Sequence, residues 1–187
     1  TAGAIPVIVT PPMSSDACGT SGTGWVSNLG VWIQRPASPD EALRVLSHEL
    51  GHNLGLRHSA AVVSRSPTVP WPAGSLPLGF EEYGDATDTM GIGGFHEGSW
   101  WRQSDFDAHH LNMLGLLPAG AIRGVNAGAS TVVTLRKVDG SGVRAVYLPW
   151  FNRAKFVLDF RPRTYMVGSV DSSYGPGAGV YVRLVNA

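Results

Sequence analysis

The spacing of three histidines and one glutamate constrains this chain more than any other feature of its sequence. His48, Glu49, His52, Gly55 and His58 follow the pattern H-E-x-x-H-x-x-G-x-x-H. On an α-helix, residues four apart share a face and lie about 6 Å apart along the axis, so His48 and His52 can bind one metal ion. A left-handed glycine at Gly55 would end the helix and bring His58 back as a third ligand. The pattern therefore predicts a helix and a sharp turn that together surround a metal ion.

Three imidazoles are the protein ligands of a typical catalytic zinc site, in which the fourth position is left to water. Zinc lowers the pKa of such a water towards about 7, and Glu49 stands beside His48 where it can take the proton and pass it to a leaving amine. This chemistry hydrolyses peptide bonds. The alternative is that H-E-x-x-H occurs by chance on a helix whose histidines are packed or solvated; Gly55 and His58 favour the metal site.

The start of the zinc-binding helix can also be read from the sequence. Ser38 is a candidate N-cap, Pro39 suits the first helical turn, and Glu41 completes a capping box, so we expect a helix over residues 39–54. Its face opposite the histidines carries a stripe of leucines that we expect to be buried. These leucines are Leu43, Leu46, Leu50 and Leu54.

A turn-rich block precedes and includes Met90, with the sequence Glu-Tyr-Gly-Asp-Ala-Thr-Asp-Thr-Met-Gly. Together with the histidine pattern, this block resembles the gametolysin family of the metzincin zinc peptidases. The resemblance implies that Met90 forms a turn beneath the metal and packs against the ligands without binding it. Some metzincins have a tyrosine two residues after the methionine. Here that residue is Ile92, so oxyanion stabilisation is expected from zinc and backbone donors.

The resemblance extends to residues 106–118 and more weakly to later strands. The run at 106–118 is similar to the last catalytic-domain helix of the family, although Asn112 replaces a lysine and Leu116 a tryptophan. The resemblance implies an α+β fold. Its first part is a metzincin-like catalytic domain at residues 1–117, with a mixed sheet, a zinc-binding helix and a C-terminal helix. A small β-sandwich-like domain at residues 118–187 is expected to follow.

Residues 1–47 leave room for only three strands before the zinc-binding helix, and we expect them at 5–9, 24–27 and 31–34. The resembling domains have further strands and a backing helix in this region, and they pair an extended substrate along the edge strand of the sheet. We therefore expect an upstream segment or a second chain to complete the fold. Four short β runs are expected after the catalytic domain, at 131–136, 144–148, 155–160 and 180–185, with a tight turn at Asp139-Gly140. Residues 156–161 alternate with period two, so one face of that strand is expected to be buried.

Two further features allow alternatives. Asp85 and Asp88 are candidate calcium ligands with Glu81 and Glu82, but a solvated turn whose aspartates accept backbone hydrogen bonds is the reading we favour. Cys18 is the only cysteine. It pairs with a cysteine outside this sequence or remains a buried free thiol.

Composition limits the class of partner. The 14 basic residues are matched by 14 acidic ones and the net charge is zero, so we expect no nucleic-acid partner. No apolar run is long enough to cross a bilayer, so we expect no membrane insertion. The sequence thus predicts a secreted zinc endopeptidase that acts on a protein or peptide, with an extracellular matrix or cell-surface protein as target by analogy. The alternatives are a zinc-binding but inactive extracellular recognition module and, more weakly, an enzyme with a non-peptide substrate.

Overall fold

Helices and strands form an α+β fold whose residues cluster in two compact units. The computed structural model describes residues 4–12, 21–35, 38–62, 80–85, 87–91, 96–97, 100–101, 105–126, 128–150, 154–161 and 179–185. Within these ranges, one unit contains residues 4–62 and 80–105, and the other contains residues 106–161 and 179–185. The division precedes Phe106, whereas the sequence analysis drew its domain boundary after residue 117. No helix in the described ranges is both long and apolar enough to cross a bilayer.

The first unit contains the helix predicted from the histidine motif and most of the short strands. Helix α1 spans Pro39–Asn53. The strands are β1 Val7–Thr10, β2 Gly22–Gly24, β3 Val31–Gln34, β4 Ala61–Val62, β5 Phe80–Glu81, β6 His96–Glu97 and β7 Trp100–Trp101. A mixed sheet has the order β1-β3-β2, in which β1 is parallel and β2 antiparallel to β3. Strands β4 and β5 form an antiparallel ribbon, as do β6 and β7.

Helix α1 begins as predicted, because the Ser38 side chain accepts a hydrogen bond from the Glu41 amide (3.2 Å). It packs on the sheet through Val45, which shares a buried cluster with Val31 and Ile33 of β3. The two buried residues of β3 alternate with partly buried ones, as expected for a strand with one face on a core. Strand β3 has the predicted bounds.

The predicted leucine stripe is only partly correct. Leu46 and Leu50 pack against the buried cluster, but Leu43 and Leu54 are 54% and 58% exposed. The side chain that contacts the centre of the sheet is Val45. The buried face of α1 is therefore rotated away from Leu43 and Leu54. It includes Val45 and, one turn further along the helix, Glu49.

This rotation depends on the glycines of β2. A Cβ added to Gly22 would lie 2.8 Å from Cγ1 of Val45, and one added to Gly24 would lie 2.9 Å from the backbone carbonyl carbon of Glu49. Only a strand without side chains at these two positions lets α1 approach so closely. β2 was predicted two residues later; in the structure the chain turns after Trp25, whose carbonyl accepts from the Asn28 amide (3.1 Å).

The second unit contains helix α2 and the remaining strands. Helix α2 spans Ala108–Met113, and the strands are β8 Ile122–Gly124, β9 Ala145–Pro149, β10 Lys155–Arg161 and β11 Gly179–Val185. They form one mixed sheet of order β11-β10-β9-β8, in which only the β8–β9 pair is parallel. Ala108 of α2 shares a buried cluster with Val138, Ala145 and Val157. The helix counted with the catalytic domain in the sequence analysis therefore belongs to the core of this unit.

Three of the four predicted C-terminal strands are present, and the first is wrong. Residues 131–136 form no strand; Val132 is 94% exposed, and Val133 and Leu135 are only partly buried. Strand β8 pairs with β9 instead. The turn at Asp139-Gly140 exists, with the Gly140 amide donating to the Lys137 carbonyl (2.8 Å). The described part of this unit has a single sheet, so the second sheet of a β-sandwich is not among its residues.

The period-two pattern of β10 is correct, but its charged face is the more buried one. Asp159 and Arg161 are 0% and 4% exposed. Arg161 donates to Asp159 (3.1 Å) and to the Phe106 carbonyl (2.9 Å), and Arg183 of β11 bonds Asp159 and Asp107. Because each charge has an oppositely charged partner, this network can be buried where isolated charges could not.

The close contact between β2 and α1 generates a stability prediction. We expect Gly24→Ala to lower the free energy of unfolding by about 1–3 kcal/mol or more, because a new methyl group would overlap the Glu49 backbone. Gly124→Ala is the matched control. It also lies in a strand, and its added Cβ would meet nothing within 4 Å, so its effect should stay within about 0.5 kcal/mol. Urea unfolding measures both; equal effects would contradict the packing described.

Candidate metal centre

Helix α1 carries the first two predicted ligands on one face. The rings of His48 and His52 have centroids 4.8 Å apart and are nearly perpendicular, at 85°. Both residues are about nine-tenths buried or more, with 7% of each exposed. Their positions four residues apart on a well-capped helix therefore give the arrangement predicted from the sequence.

The turn after α1 brings in the third ligand. Gly55 has a φ of +94°; its amide donates to the His52 carbonyl and the Leu56 amide to the Gly51 carbonyl, both at 2.9 Å. This pair of bonds is a Schellman motif, which requires a left-handed residue at the glycine position. The turn places Nε2 of His58 3.0 Å from Nε2 of His52. The three histidines thus offer ligand nitrogens that all lie within 4.8 Å of one another.

The outer nitrogen of each imidazole has a fixed acceptor. Nδ1 of His48 donates to the Thr89 carbonyl (2.8 Å), and Nδ1 of His52 to the Leu56 carbonyl (3.0 Å). Nδ1 of His58 donates to Oε1 of Glu82 (2.7 Å). Because carbonyl and carboxylate oxygens only accept, the proton of each neutral ring is on Nδ1 and the Nε2 lone pair is left for a ligand.

This donor set fits a metal ion. Two Nε2 lone pairs that face each other at 3.0 Å repel, and a cation bound between them removes the repulsion. Burial lowers the pKa of His48 to about 4 and also lowers the pKa of His52. At neutral pH both rings are therefore in the uncharged form that metals bind.

The segment around Met90 supports two of the ligands. Met90 is fully buried, and the neighbouring Thr89 carbonyl holds His48. The Met90 carbonyl accepts from the Ser59 amide (2.9 Å), the Ser59 carbonyl accepts from the Asp85 amide (3.2 Å), and the Ser59 hydroxyl bonds the Asp88 carboxylate. The turn therefore anchors the residue that follows His58. The sequence analysis missed this role of Ser59.

Asp85, one of the two aspartates proposed as calcium ligands, accepts hydrogen bonds within the turn. Oδ1 of Asp85 accepts from the Thr87 amide (2.8 Å) and hydroxyl (2.6 Å), which is an Asx turn. Asp88 accepts from Ser59. In the described part of the chain, Asp85 belongs to no group of three or more neighbouring metal-ligand atoms. The alternative favoured from the sequence, an aspartate that accepts a backbone hydrogen bond in a turn, agrees with the contacts of Asp85, whereas Asp88 is fully buried.

Glu49 lies on α1 between the two helical ligands and against β2. It is 8% exposed. Burial raises its pKa to about 7, although the Gly24 amide that donates to it and the nearby charge of Arg44 act in the opposite direction. A carboxyl group with a pKa near neutrality can both accept and release a proton, which is what a general base that later acts as an acid needs.

Two residues near the site were not found from the sequence. The ring of Tyr83 lies 4.0 Å from that of His58 and 5.9 Å from that of His48, centroid to centroid. Asn53 is buried and exchanges two hydrogen bonds with the backbone of Gly30, at 2.7 and 3.0 Å, which hold the loop after β2 against the end of α1. Tyr83 belongs to the block that carries the resemblance, but no local pattern indicated its contact with a ligand.

Some sequence predictions concern residues outside the described ranges. They are the state of Cys18 and the residue after the methionine turn, Ile92. No family model matches this chain, and no curated protein or solved structure is significantly similar to it. The case for a metal centre therefore depends on the residues and contacts given above.

The raised pKa of Glu49 predicts a pH-dependent stability in the metal-free protein. The unfolded carboxyl titrates near 4.5 and the folded one near 7, so the wild type loses stability as the pH rises between these values. Glu49→Gln has no such charge to bury. We expect its stability relative to the wild type to increase from about pH 4.5 to about pH 8, as measured by urea unfolding with a chelator present. Asp139→Asn, at an exposed carboxylate, should show no such trend; a flat difference for Glu49→Gln would contradict the burial of Glu49.

Proposed function

We propose that this chain is a secreted zinc-dependent endopeptidase of the metzincin clan, similar to gametolysin, with His48, His52 and His58 as ligands and Glu49 as general base. One observation supports the proposal most strongly: the ligand nitrogens of three histidines lie within 4.8 Å of one another, and Glu49, next to His48 on the same helix, is a buried carboxyl group whose pKa is near neutrality. Histidines that are only packed or solvated do not require a separate hydrogen-bond acceptor for Nδ1 of each ring.

The residues of the chain can be assigned to steps of peptide hydrolysis. Zinc held by His48, His52 and His58 would act as a Lewis acid that acidifies water and polarises a carbonyl group. Glu49 would take the proton from the attacking water, hold it in a buried site, and deliver it to the nitrogen of the leaving amine. The carbonyls of Thr89 and Leu56 keep His48 and His52 in one tautomer throughout.

The position of β2 suits an extended peptide substrate. β2 is at the edge of its sheet, and the contacts of Gly22 and Gly24 with α1 set it directly beside Glu49. A peptide that paired with this edge would run its backbone past the carboxylate. This agrees with an endopeptidase that binds a chain on both sides of the bond it cleaves.

Digestion of denatured casein tests the proposal. The wild type should cleave it, and Glu49→Ala and Glu49→Gln should be slower by about 10²–10⁴-fold, because a general base contributes about that factor. All three should retain equal zinc, since Glu49 is not a ligand. Asp139→Asn should cleave at the wild-type rate. A chelator should abolish cleavage and added zinc should restore it.

Zinc-loaded wild type that leaves casein intact would contradict general proteolysis. It would favour the inactive recognition module, or an enzyme with a non-peptide substrate. Cleavage that survives in Glu49→Ala would instead contradict the role of Glu49 while leaving the zinc site in place.

A further inference from the structure

His58 differs from the other two ligands in having no regular element to hold it. His48 and His52 lie on α1, whereas His58 follows the turn at Gly55, outside any helix or strand. Two consecutive residues from a distant part of the sequence contact its ring. Glu82 accepts a hydrogen bond from Nδ1 (2.7 Å), and the Tyr83 ring lies 4.0 Å from the imidazole, tilted by 42°. We call Glu82 and Tyr83 the clasp.

A short ribbon brings the clasp to His58. In the β4–β5 pair, Ala61 is opposite Glu81 and Val62 is opposite Phe80. The chain that enters β4 is therefore antiparallel to the chain that leaves β5, and the Asp85 amide donates to the Ser59 carbonyl (3.2 Å) just beyond the ribbon. Contacts on both sides of the clasp thus fix its position beside the third ligand, although His58 and Glu82 are 24 residues apart.

The two residues restrict the ring in different ways. The Glu82 carboxylate fixes the Nδ1 proton and its negative charge makes Nε2 a stronger donor to a cation. The Tyr83 ring covers the imidazole and also stacks near His48, at 5.9 Å and 30°, so it limits rotation of the His58 side chain. His48 and His52 are held by backbone carbonyls, and only His58 has a charged partner of this kind.

We propose that Glu82 and Tyr83 are positioning residues that hold His58 in its ligand orientation and strengthen the binding of a divalent metal ion at the three histidines. This inference rests on the metal site of the proposed function. It does not depend on peptide hydrolysis, because the clasp acts on the ligand and not on the substrate.

The experiment is zinc affinity, measured by competition with a chelator at neutral pH. Glu82→Ala should bind zinc about 10–100-fold more weakly than the wild type, as is usual when the outer partner of a metal-binding histidine is removed. Glu82→Gln retains an acceptor without the charge and should fall between them. Tyr83→Ala should also weaken binding, whereas Tyr83→Phe keeps the ring and should bind within about twofold of the wild type. Asp139→Asn, at an exposed carboxylate, is the control for loss of charge.

Two readouts separate positioning from a general effect on folding. The side chain of Glu82 is 66% exposed and Tyr83 is 44% exposed, so the metal-free variants should unfold at the same urea concentration as the wild type. In the metal-loaded alanine variants, the visible absorption of bound Co²⁺ should change because the third imidazole is less firmly held.

The possible results are distinguishable. The proposed role of the clasp is overturned if either alanine variant binds zinc within about twofold of the wild type. It is also overturned if the free energy of unfolding of the metal-free variant falls by as much as the free energy of zinc binding does. A wild-type protein that binds no zinc would overturn the proposed function and the clasp together. Tight zinc binding that depends on both residues, in a protein that cleaves no peptide, would support the clasp and contradict only the peptidase.

Discussion

The left-handed backbone at Gly55 is the constraint on which the metal centre depends. The chain turns back there so that the Gly55 and Leu56 amides donate to the carbonyls of His52 and Gly51 at the end of α1, and glycine is the residue that adopts a φ of +94° without strain. The turn buries Leu56, whose carbonyl fixes His52, and delivers His58 to the two helical ligands. Ser59 then joins the Met90 segment, which in turn holds His48. Each ligand is therefore linked to the others through short backbone contacts that follow from this one turn.

Two ionisable groups of the site are buried at an electrostatic cost. Burial works against the charged form of both Glu49 and His48, so it raises the pKa of the first and lowers that of the second. Removing a carboxylate from water costs stability at neutral pH, and a neutral imidazole costs stability in acid. A bound cation would interact favourably with both groups, so metal binding is expected to offset much of this cost.

Residue spacing and backbone preferences were enough to predict the features formed by residues that are close together in the sequence. The cap at Ser38, the helix, the turn at Gly55 and the meeting of three histidines follow from spacing and backbone preference, and they are present. The predictions that failed depend on contacts between residues far apart in the sequence. The sequence of α1 does not show that Leu43 and Leu54 are exposed, because that depends on the glycines of β2. The sequence of β10 does not show that Asp159 and Arg161 are buried, because that depends on Arg183 in β11. Glu82, Tyr83 and Ser59 were likewise missed as supports of the ligands, since a ribbon that closes a 24-residue interval brings the clasp to His58.

X-ray absorption at the zinc edge of the zinc-loaded protein tests the central claim most directly, because it reports the atoms bound to the metal. One equivalent of zinc should have only nitrogen and oxygen neighbours at about 2.0–2.1 Å, with the outer-shell scattering of three imidazoles. Replacement of His58 by alanine should reduce the imidazole signal by one third. Sulfur at about 2.3 Å, or fewer than three imidazoles in the wild type, would contradict a metal centre built from His48, His52 and His58.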